Sequence, residues 1–514
     1  MILLLMALVP LVGAVAVAAL RNPAGEHRAA KAASLVTSVA TLVLALVMVG
    51  QYDVDQGGYQ LGFEREWIGA FGAHFALGVS GIGLTMVLLT AILTPIVLVA
   101  AWGDRLTDPS RVPTYLSLVL VVEGLAIAAF SATDVFLFYV LFEATLIPLY
   151  FLIGSFGGPH RSYAAVKFLV YNLVGGLIML AAIVGLYAVS AGQGDPSYLL
   201  SDLQQLDMST TTERLLFVGF MAAFAIKAPL WPLHTWLPDA AQQATPSTSV
   251  MMVSVLDKLG TFGMLVWCLG IFSDAARWAA PVIIGLALVS IVYGALVAIG
   301  QDDIRRLVAF TSVSHFGFII LGIFAFTTTS MAGSTLYMFN HGLSTAALFL
   351  VTGMMIARRG SAGINDFGGV QKIAPIMSGF LLVAGLSSLS LPGLAPFVSE
   401  FMVLAGTFTR SITAGVIATT GIVLAALYIL IMYQRTMTGP LSDDAKGVTD
   451  LTMREKSLLA PAVVLIVGLG FFPQPLLNVI NPSIDAVSSR VGVGDPEPRT
   501  PTVIDGSAAE EGGH

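Results

Sequence analysis

The sequence has few charged residues for its length. Asp, Glu, Lys and Arg make up 11% of the 514 residues, whereas hydrophobic residues make up 56%. Soluble domains contain roughly 25% charged residues, so a soluble globular protein is excluded. The apolar runs are as long as helices and do not alternate with polar residues, which also excludes a membrane β-barrel. The composition therefore predicts an all-α integral membrane protein.

Other kinds of chemistry are excluded by what the sequence does not contain. The single cysteine, Cys268, lies in an apolar run, which rules out a disulfide framework and a Cys-rich metal or iron–sulfur site. No Gly-rich phosphate loop followed by Lys and Ser or Thr is present, which argues against a nucleotide-driven pump. The membrane histidines have no recognisable axial-ligand spacing for haem. We expect no metal or cofactor in this chain and an energy source outside it.

Hydropathy averaged over about 19 residues predicts about fourteen transmembrane helices. The predicted spans are 1–20, 30–50, 76–102, 113–131, 134–156, 164–190, 213–238, 246–271, 277–300, 304–326, 331–358, 374–408, 412–436 and 455–474. The first span has no basic start, so we interpret it as a membrane helix and not as a signal peptide. Residues 51–75 and 191–212 are predicted to be polar loops, and residues 486–514 a disordered tail.

Lys and Arg are distributed unevenly among the predicted loops. Most of them lie in the loops that follow odd-numbered spans. The opposite loops and the tail contain only Arg65, Arg214, Arg277, Arg410, Arg490 and Arg499. Because cytoplasmic loops carry the excess of positive charge, this pattern predicts that both termini lie on the outer face.

Two parts of the sequence show the same order of features. FLFYVLFEATLIP, KFLVYNLVGG and a proline-broken span with Lys227 form the first series, and SVSHFGFII, LYMFNHGLST and SLSLPGLAPFVSEFMVL form the second. Broken spans at matching positions point to a transport site, and five helices per repeat would make the two repeats inverted. The predicted organisation is three N-terminal helices (1–112), a first repeat (113–271), a second repeat (277–437), a loop with the last helix (438–475) and a polar tail (476–514).

A small set of ionisable side chains falls inside the apolar runs. The set consists of Glu123, Glu143, Lys227, His234, Asp257, Lys258, His315, His341 and Glu400. A charged group costs about 2–3 kcal/mol or more at the bilayer centre. Buried ion pairs stabilise a fold less well than apolar packing does. A purely structural role would therefore supply no gain in stability that explains why these costly groups are present. The set favours an ion path; the alternative is a group of static ties between helices.

Glu143 and Lys227 are the natural pair in this set. A carboxylate in the apolar surroundings of Glu143 needs a nearby cation to remain charged. The prolines Pro229 and Pro232 follow Lys227 and prevent the helical hydrogen bonds to the carbonyls of Ala225 and Ala228. We expect these carbonyls to bind the lysine ammonium or ordered water. A static Glu–Lys tie is the alternative.

The second broken span repeats this arrangement, because Pro392 and Pro396 stand just before Glu400. Histidines can pass protons near neutral pH, and His315 and His341 on consecutive spans favour a relay over two separate core groups. Lys258 lies on the span after Lys227. Its neighbour Asp257 points about 100° away on a helix, so the two need not pair. His234, Asp239 and Glu123 are possible accessory groups.

Longer segments carry a family resemblance. FLFYVLFEATLIPLYFLIG, FAIKAPLWPLHTWLPDA, AFTSVSHFGFIILGI, FNHGLSTAALFL, INDFGGVQKIAP and LPGLAPFVSEF resemble the antiporter-like membrane subunits of respiratory complex I and the related Mrp cation/proton antiporters. The resemblance runs from about residue 110 to residue 440.

This resemblance implies specific roles. Glu143 and Lys227 match the coupled pair of the family, Lys258 its central lysine, His315 and His341 its relay positions, and Glu400 its terminal proton-exchange site. It implies proton translocation in a bacterial inner membrane beside two homologous antiporter-like subunits. NADH, flavin, iron–sulfur clusters and quinone would be bound by other subunits.

The sequence departs from the family pattern near the first break and leaves other functions open. Ala241 stands where the family usually has histidine, Ser399 where it has glycine, and Asp257 where an apolar residue is common. One alternative function is a subunit of a Na⁺/H⁺ antiporter without electron transfer. Another is a structural spacer in a membrane assembly.

Overall fold

A computed structural model describes residues 1–20, 27–104 and 108–495. They form a bundle of helices with one β-hairpin. The helices of the first half are α1 (Ile2–Ala19), α2 (Arg28–Gln51), α3 (Gly81–Ala101), α4 (Val112–Ser131), α5 (Val135–Ala144), α6 (Leu146–Phe156), α7 (Arg161–Ala191), α8 (Leu200–Leu203), α9 (Thr210–Lys227) and α10 (Trp236–Gln243).

The helices of the second half follow with short connections. They are α11 (Pro246–Ser249), α12 (Lys258–Gly263), α13 (Leu269–Ile271), α14 (Ser273–Ile299), α15 (Ile304–Phe324), α16 (Thr328–Arg359), α17 (Pro375–Ser388), α18 (Ala395–Arg410), α19 (Ile412–Met437), α20 (Met453–Phe471) and α21 (Gln474–Val491). Two π-helical segments, Val250–Leu256 and Met264–Cys268, connect α11, α12 and α13 into one continuous span.

Every predicted span contains at least one of these helices. By length and apolar composition, eleven helical spans in the described ranges can cross a membrane, or twelve if the bent pair α20–α21 counts as one. The difference from the predicted number arises because two predicted spans are broken into shorter helices. Helix α9 is separated from α10 by residues 228–235, and α17 from α18 by residues 389–394.

Two segments that were predicted to be irregular are ordered. The loop 51–75 contributes an antiparallel hairpin, β1 (Gln60–Ile68) with β2 (Ala73–Val79). The polar tail predicted from residue 476 is helical up to Val491 in α21, and the prediction of disorder is wrong for 486–491. Apolar residues spaced by helical turns, including Ile480 and Ile484, are buried in α21 and pack it against α3 and α16. Residues 496–514 lie outside the described residues.

Side-chain caps explain where many of the helices begin. A Ser, Thr or Asp oxygen accepts a hydrogen bond from the first turn and so satisfies an otherwise unpaired N–H group. Such caps are provided by Ser80 (α3), Asp134 (α5), Ser209 (α9), Thr245 (α11), Asp303 (α15), Thr327 (α16), Ser411 (α19) and Thr452 (α20).

The centre of the bundle is formed by three spans. The most apolar windows of Pro246–Ile271 and Ile304–Phe324 are 100% buried, and that of Thr328–Arg359 is 89% buried. These spans carry Lys258, His315 and His341 respectively, although each of these side chains is polar. The fold therefore encloses a row of titratable groups within protein, away from lipid, where such groups are tolerated in membrane proteins.

Candidate functional site: a buried chain of proton-carrying groups

The first helix break differs in detail from the sequence expectation. The carbonyl of Ala225 is not free, because it accepts a hydrogen bond from Leu230 N at 3.0 Å. The indole Nε1 of Trp236 donates to the carbonyl of Ile226 at 3.0 Å. The expectation that the Ala225 carbonyl binds the lysine ammonium is therefore wrong. Neighbouring donors thus satisfy the carbonyls of Ala225 and Ile226.

Lys227 ends α9 and its side chain is buried. Its Nζ atom has no hydrogen-bond partner and lies 5.2 Å from the ring centre of Phe142 and 5.9 Å from that of Phe168. Two carboxylates, Asp257 and then Glu143, act on it electrostatically. The ammonium is thus held among aromatic faces, within the field of two acids and bonded to neither, which leaves it able to change partner.

Glu143 lies on α5 two residues before Thr145, the turn that separates α5 from α6. Its side chain is half-buried, and its Oε1 atom has no hydrogen-bond partner. The carboxyl group packs against Gly176 of α7, where a Cβ atom would collide with it. Its field acts on Lys227 without a direct bond. This arrangement does not match a static ion pair.

Lys258 begins α12 directly after a π-helical segment and Asp257. Its Nζ atom donates to the carbonyl of Val253 at 2.6 Å and lies 2.8 Å from Nδ1 of His341 on α16. The ring centre of Phe316 is 4.9 Å from the same nitrogen. Because π-turns change the face that later residues present and are frequent at functional sites, this segment explains how Lys258 reaches α16.

A second group of contacts leads from His315 to Glu400. Nδ1 of His315 lies 2.7 Å from the hydroxyl of Tyr337, and that hydroxyl donates to Oε2 of Glu400 at 2.6 Å. A tyrosine hydroxyl has one hydrogen to give, so it must accept from the His315 side. The ring centres of His315 and His341 are 5.3 Å apart, and Nε2 of His341 has no partner. The groups therefore form one row, interrupted between the two histidines.

The second break lies beside the end of this row. Ser390, between α17 and α18, adopts a left-handed backbone with φ 59° and donates its hydroxyl hydrogen to Glu400. Asn340 of α16 donates to the carbonyl of Ala395 at 2.8 Å, which fixes the start of α18. A non-glycine residue in this conformation is strained, and such strain often accompanies function. Pro392 lies in the break, whereas Pro396 lies in the first turn of α18.

The accessory residues are not all part of this row. His234 is buried near the rings of Tyr293 and Phe310, and its Nδ1 has no partner. Both carboxylate oxygens of Glu123 on α4 are buried without a hydrogen-bond partner, so no hydrogen bond joins this residue to the row within the described ranges. Asp239 belongs to an ion cluster, 2.6 Å from both Lys167 and Arg306. The contacts of Asp239 indicate a structural tie.

Three hydroxyl residues of the site are absent from the sequence prediction: Tyr337, Ser388 and Ser390. Tyr337 had a detectable signal, because it stands one helical turn before His341 and shares its face. Ser388 ends α17 and Ser390 lies in the second break, and both reach the site through the packing of these segments against His315 and Glu400. That geometry has no signature in sequence spacing.

A cavity of about 350 Å³ opens beside the C-terminal end of α10. It is lined by polar residues at the ends of several helices, including Asp104, Gln243, Thr245, Arg305, Arg454 and Glu455. Asp104 follows α3 outside the membrane span, and burial raises its pKa to about 6. Within the described ranges, no group of three or more His, Cys, Asp or Glu side chains is placed to hold a metal ion.

A helical bundle with broken spans and a central row of Lys, His, Tyr and Glu side chains defines a membrane protein built to move cations or protons. Comparison with known proteins places it more narrowly. Residues 132–425 match the family model described as NADH:quinone oxidoreductase/Mrp antiporter, transmembrane. The chain belongs to this family and, within it, to the M subunits of NADH-quinone oxidoreductase.

Individual relatives agree with this assignment. The chain is similar to NADH-quinone oxidoreductase subunit M of Mycobacterium tuberculosis, at 48% identity over 96% of this chain and 94% of the relative. A chain of respiratory complex I from Thermus thermophilus has a TM-score of 0.87 at 29% identity, covering 96% of this chain and 100% of that one. A chain of the Mrp complex from a Dietzia species has a TM-score of 0.83 at 19% identity, covering 95% and 99%, and shares the fold. The predicted fold class, an all-helical membrane protein, is confirmed.

Proposed function

We propose that this chain is a proton-translocating subunit of the membrane arm of an NADH:quinone oxidoreductase. Protons would pass between the region of Glu143 and Lys227 and the region of Glu400. The observation that carries the proposal is the row of close contacts from Lys258 through His341, His315 and Tyr337 to Glu400. It lies in a fold that superimposes on a chain of a complex with bound NADH.

In this proposal, Glu143 acts as the switch for Lys227. When the carboxylate is charged and near, it stabilises the ammonium; when its influence is withdrawn, desolvation favours release of the proton. Lys258 and His341 then form the central proton store, and Glu400 exchanges protons with the opposite side. Oxidation of NADH, with flavin, iron–sulfur clusters and quinone, takes place in partner subunits, and two homologous antiporter-like subunits lie in the same membrane arm.

The test is Lys227→Ala, with Glu143→Ala beside it, in the assembled complex. We expect NADH-driven proton pumping by inverted membrane vesicles to fall by about tenfold or more, because removal of a group that transfers protons typically costs at least this much. The NADH dehydrogenase activity with a soluble electron acceptor should stay normal. The matched control is Lys446→Ala, which removes an exposed loop lysine. Normal pumping with the variant subunit present on native gels would refute the proposed pair.

Purification of the tagged chain separates this function from the antiporter alternative. Co-purification with flavin- and iron–sulfur-containing subunits supports the proposal. Isolation with small membrane antiporter subunits alone, and Na⁺/H⁺ exchange without electron transfer, would replace it.

A further inference from the structure

Asp257 is a buried acid that has no role in the proton path proposed above. It is buried between the π-helical segment Val250–Leu256 and α12, and neither carboxylate oxygen has a hydrogen-bond partner. Burying a charge without a partner is costly. The two cations that act on Asp257 electrostatically are Lys258 and Lys227. Asp257 and Glu143 both act on Lys227 electrostatically.

The packing of α12 explains this position. Gly260 lies one helical turn after Asp257 and therefore on the same face of the helix. At Gly260 the helix touches the end of α9 so closely that a Cβ atom would lie 2.7 Å from both Phe224 O and Ala228 N. The face that carries Asp257 is thus pressed against the backbone on both sides of Lys227.

Lys258 occupies a different face of the same helix. Adjacent helical residues point about 100° apart, and Lys258 is directed towards His341 on α16. Asp257 therefore stands where the path must turn from the first broken span to the central row. Two lysines facing each other directly would repel when both are charged, and a carboxylate between them removes that barrier.

We propose that Asp257 carries the proton from Lys227 to Lys258, an inference that rests on the proposed function. In the first step an N–H bond of the Lys227 ammonium breaks and an O–H bond forms on the Asp257 carboxylate, leaving a neutral amine and a neutral acid. In the second step that O–H bond breaks and the proton binds the neutral amine of Lys258, which restores the carboxylate. The flexible four-carbon stem of each lysine brings its nitrogen to the carboxylate in turn.

The test compares Asp257→Asn, Asp257→Glu and Asp257→Leu in the assembled complex. Asn keeps the size but cannot carry the proton, Glu keeps the acid, and Leu removes the polarity. The matched control is Ser254→Ala, which removes a buried hydroxyl without a partner from the same span. We expect Asn and Leu to lower the number of protons pumped per NADH oxidised several-fold, and Glu to retain at least about half of it. The control should equal the parent protein.

The outcomes for the Asp257 variants can be distinguished from the outcomes that test the proposed function. If Lys227→Ala and Lys258→Ala abolish pumping but Asp257→Asn and Asp257→Leu pump normally, the role of Asp257 is refuted and the proposed function stands. If the lysine variants also pump normally, the proposed function fails. If Asp257→Asn does not assemble, Asp257→Glu is compared with Asp257→Leu. Proton pumping retained in Asp257→Glu alone supports the relay, whereas equal pumping by the two variants refutes it. Failure of all three variants to assemble shows a structural role and refutes it as well.

Discussion

Tyr337 joins two groups that would otherwise be separate. Its hydroxyl lies 2.7 Å from Nδ1 of His315 and donates to Glu400 at 2.6 Å. A phenol can accept a proton on one lone pair while giving up its own hydrogen, so it can pass a proton without bearing a lasting charge. At the residue scale, this hydroxyl is the shortest route between the histidine and the acid.

Tyr337→Phe removes that hydroxyl and keeps the ring. We expect proton pumping per NADH to fall about tenfold or more, because loss of a proton-transferring group typically costs at least this much, while the subunit still assembles. Tyr428→Phe is the matched control, since Tyr428 is also buried but its hydroxyl has no hydrogen-bond partner. Both variants are compared by the number of protons that inverted vesicles pump per NADH oxidised. Equal pumping by the two would show that the Tyr337 hydroxyl takes no part.

At the scale of elements, close contact between α9 and α12 sets the distance between Lys227, at the end of α9, and Lys258, at the start of α12. Gly260 permits this contact because it has no side chain. The contact holds the end of α9 against the turn that carries Asp257 and Lys258. A change in helix spacing would therefore act on several groups of the path together.

Gly260→Ala should separate these helices. The new Cβ would meet backbone atoms at 2.7 Å, which cannot move as a side-chain end can. We expect a loss of stability of about 1–3 kcal/mol, as for other overpacked cores, together with reduced pumping. Thermal dissociation of the complex on native gels measures the stability. Gly285→Ala in α14, where a Cβ meets nothing within 4 Å, is the control, and equal behaviour of the two variants would contradict the role of this contact.

At the scale of the whole molecule, the loop charges predict an orientation for the bundle. Loops that follow even-numbered spans contain few Lys and Arg, which predicts that 191–212 lies outside and 437–454 inside. The single cysteine, Cys268, is buried, so a cysteine introduced on the surface is the one available to a large reagent. This makes the orientation directly measurable.

Ser201→Cys and Asp443→Cys test the orientation, because both positions are exposed in the chain. A membrane-impermeant maleimide should label Ser201→Cys in intact spheroplasts and Asp443→Cys only in inverted vesicles. The parent protein should remain unlabelled in both. The reverse pattern would place the termini on the inner face and overturn the orientation.

The sequence predicts the buried charges beside the helix breaks better than the contacts that join the groups between them. Buried charges next to prolines, as at Lys227 and Glu400, are visible because both are rare in apolar helices. Tyr337 was not predicted, because a tyrosine in an apolar span is also typical of core packing, although it shares a helix face with His341. The π-helical turn before Asp257 was not predictable, since it depends on how α9, α12 and α16 pack. The hairpin was missed because β1 has no buried residues to form an apolar pattern, and α21 was missed because polar residues separate its buried residues, which are spaced by helical turns.

The space between the two histidine rings has a consequence for energy conversion. His315 and His341 are 5.3 Å apart between ring centres, with close contacts on either side of them. An unbroken conductor through the membrane would short-circuit the gradient, because protons would flow back as readily as forward. In the proposed path, a gap that closed only when a ring turned would make this step a one-way control point. Work done elsewhere in the assembly would then set the direction of proton flow by controlling when that gap closes.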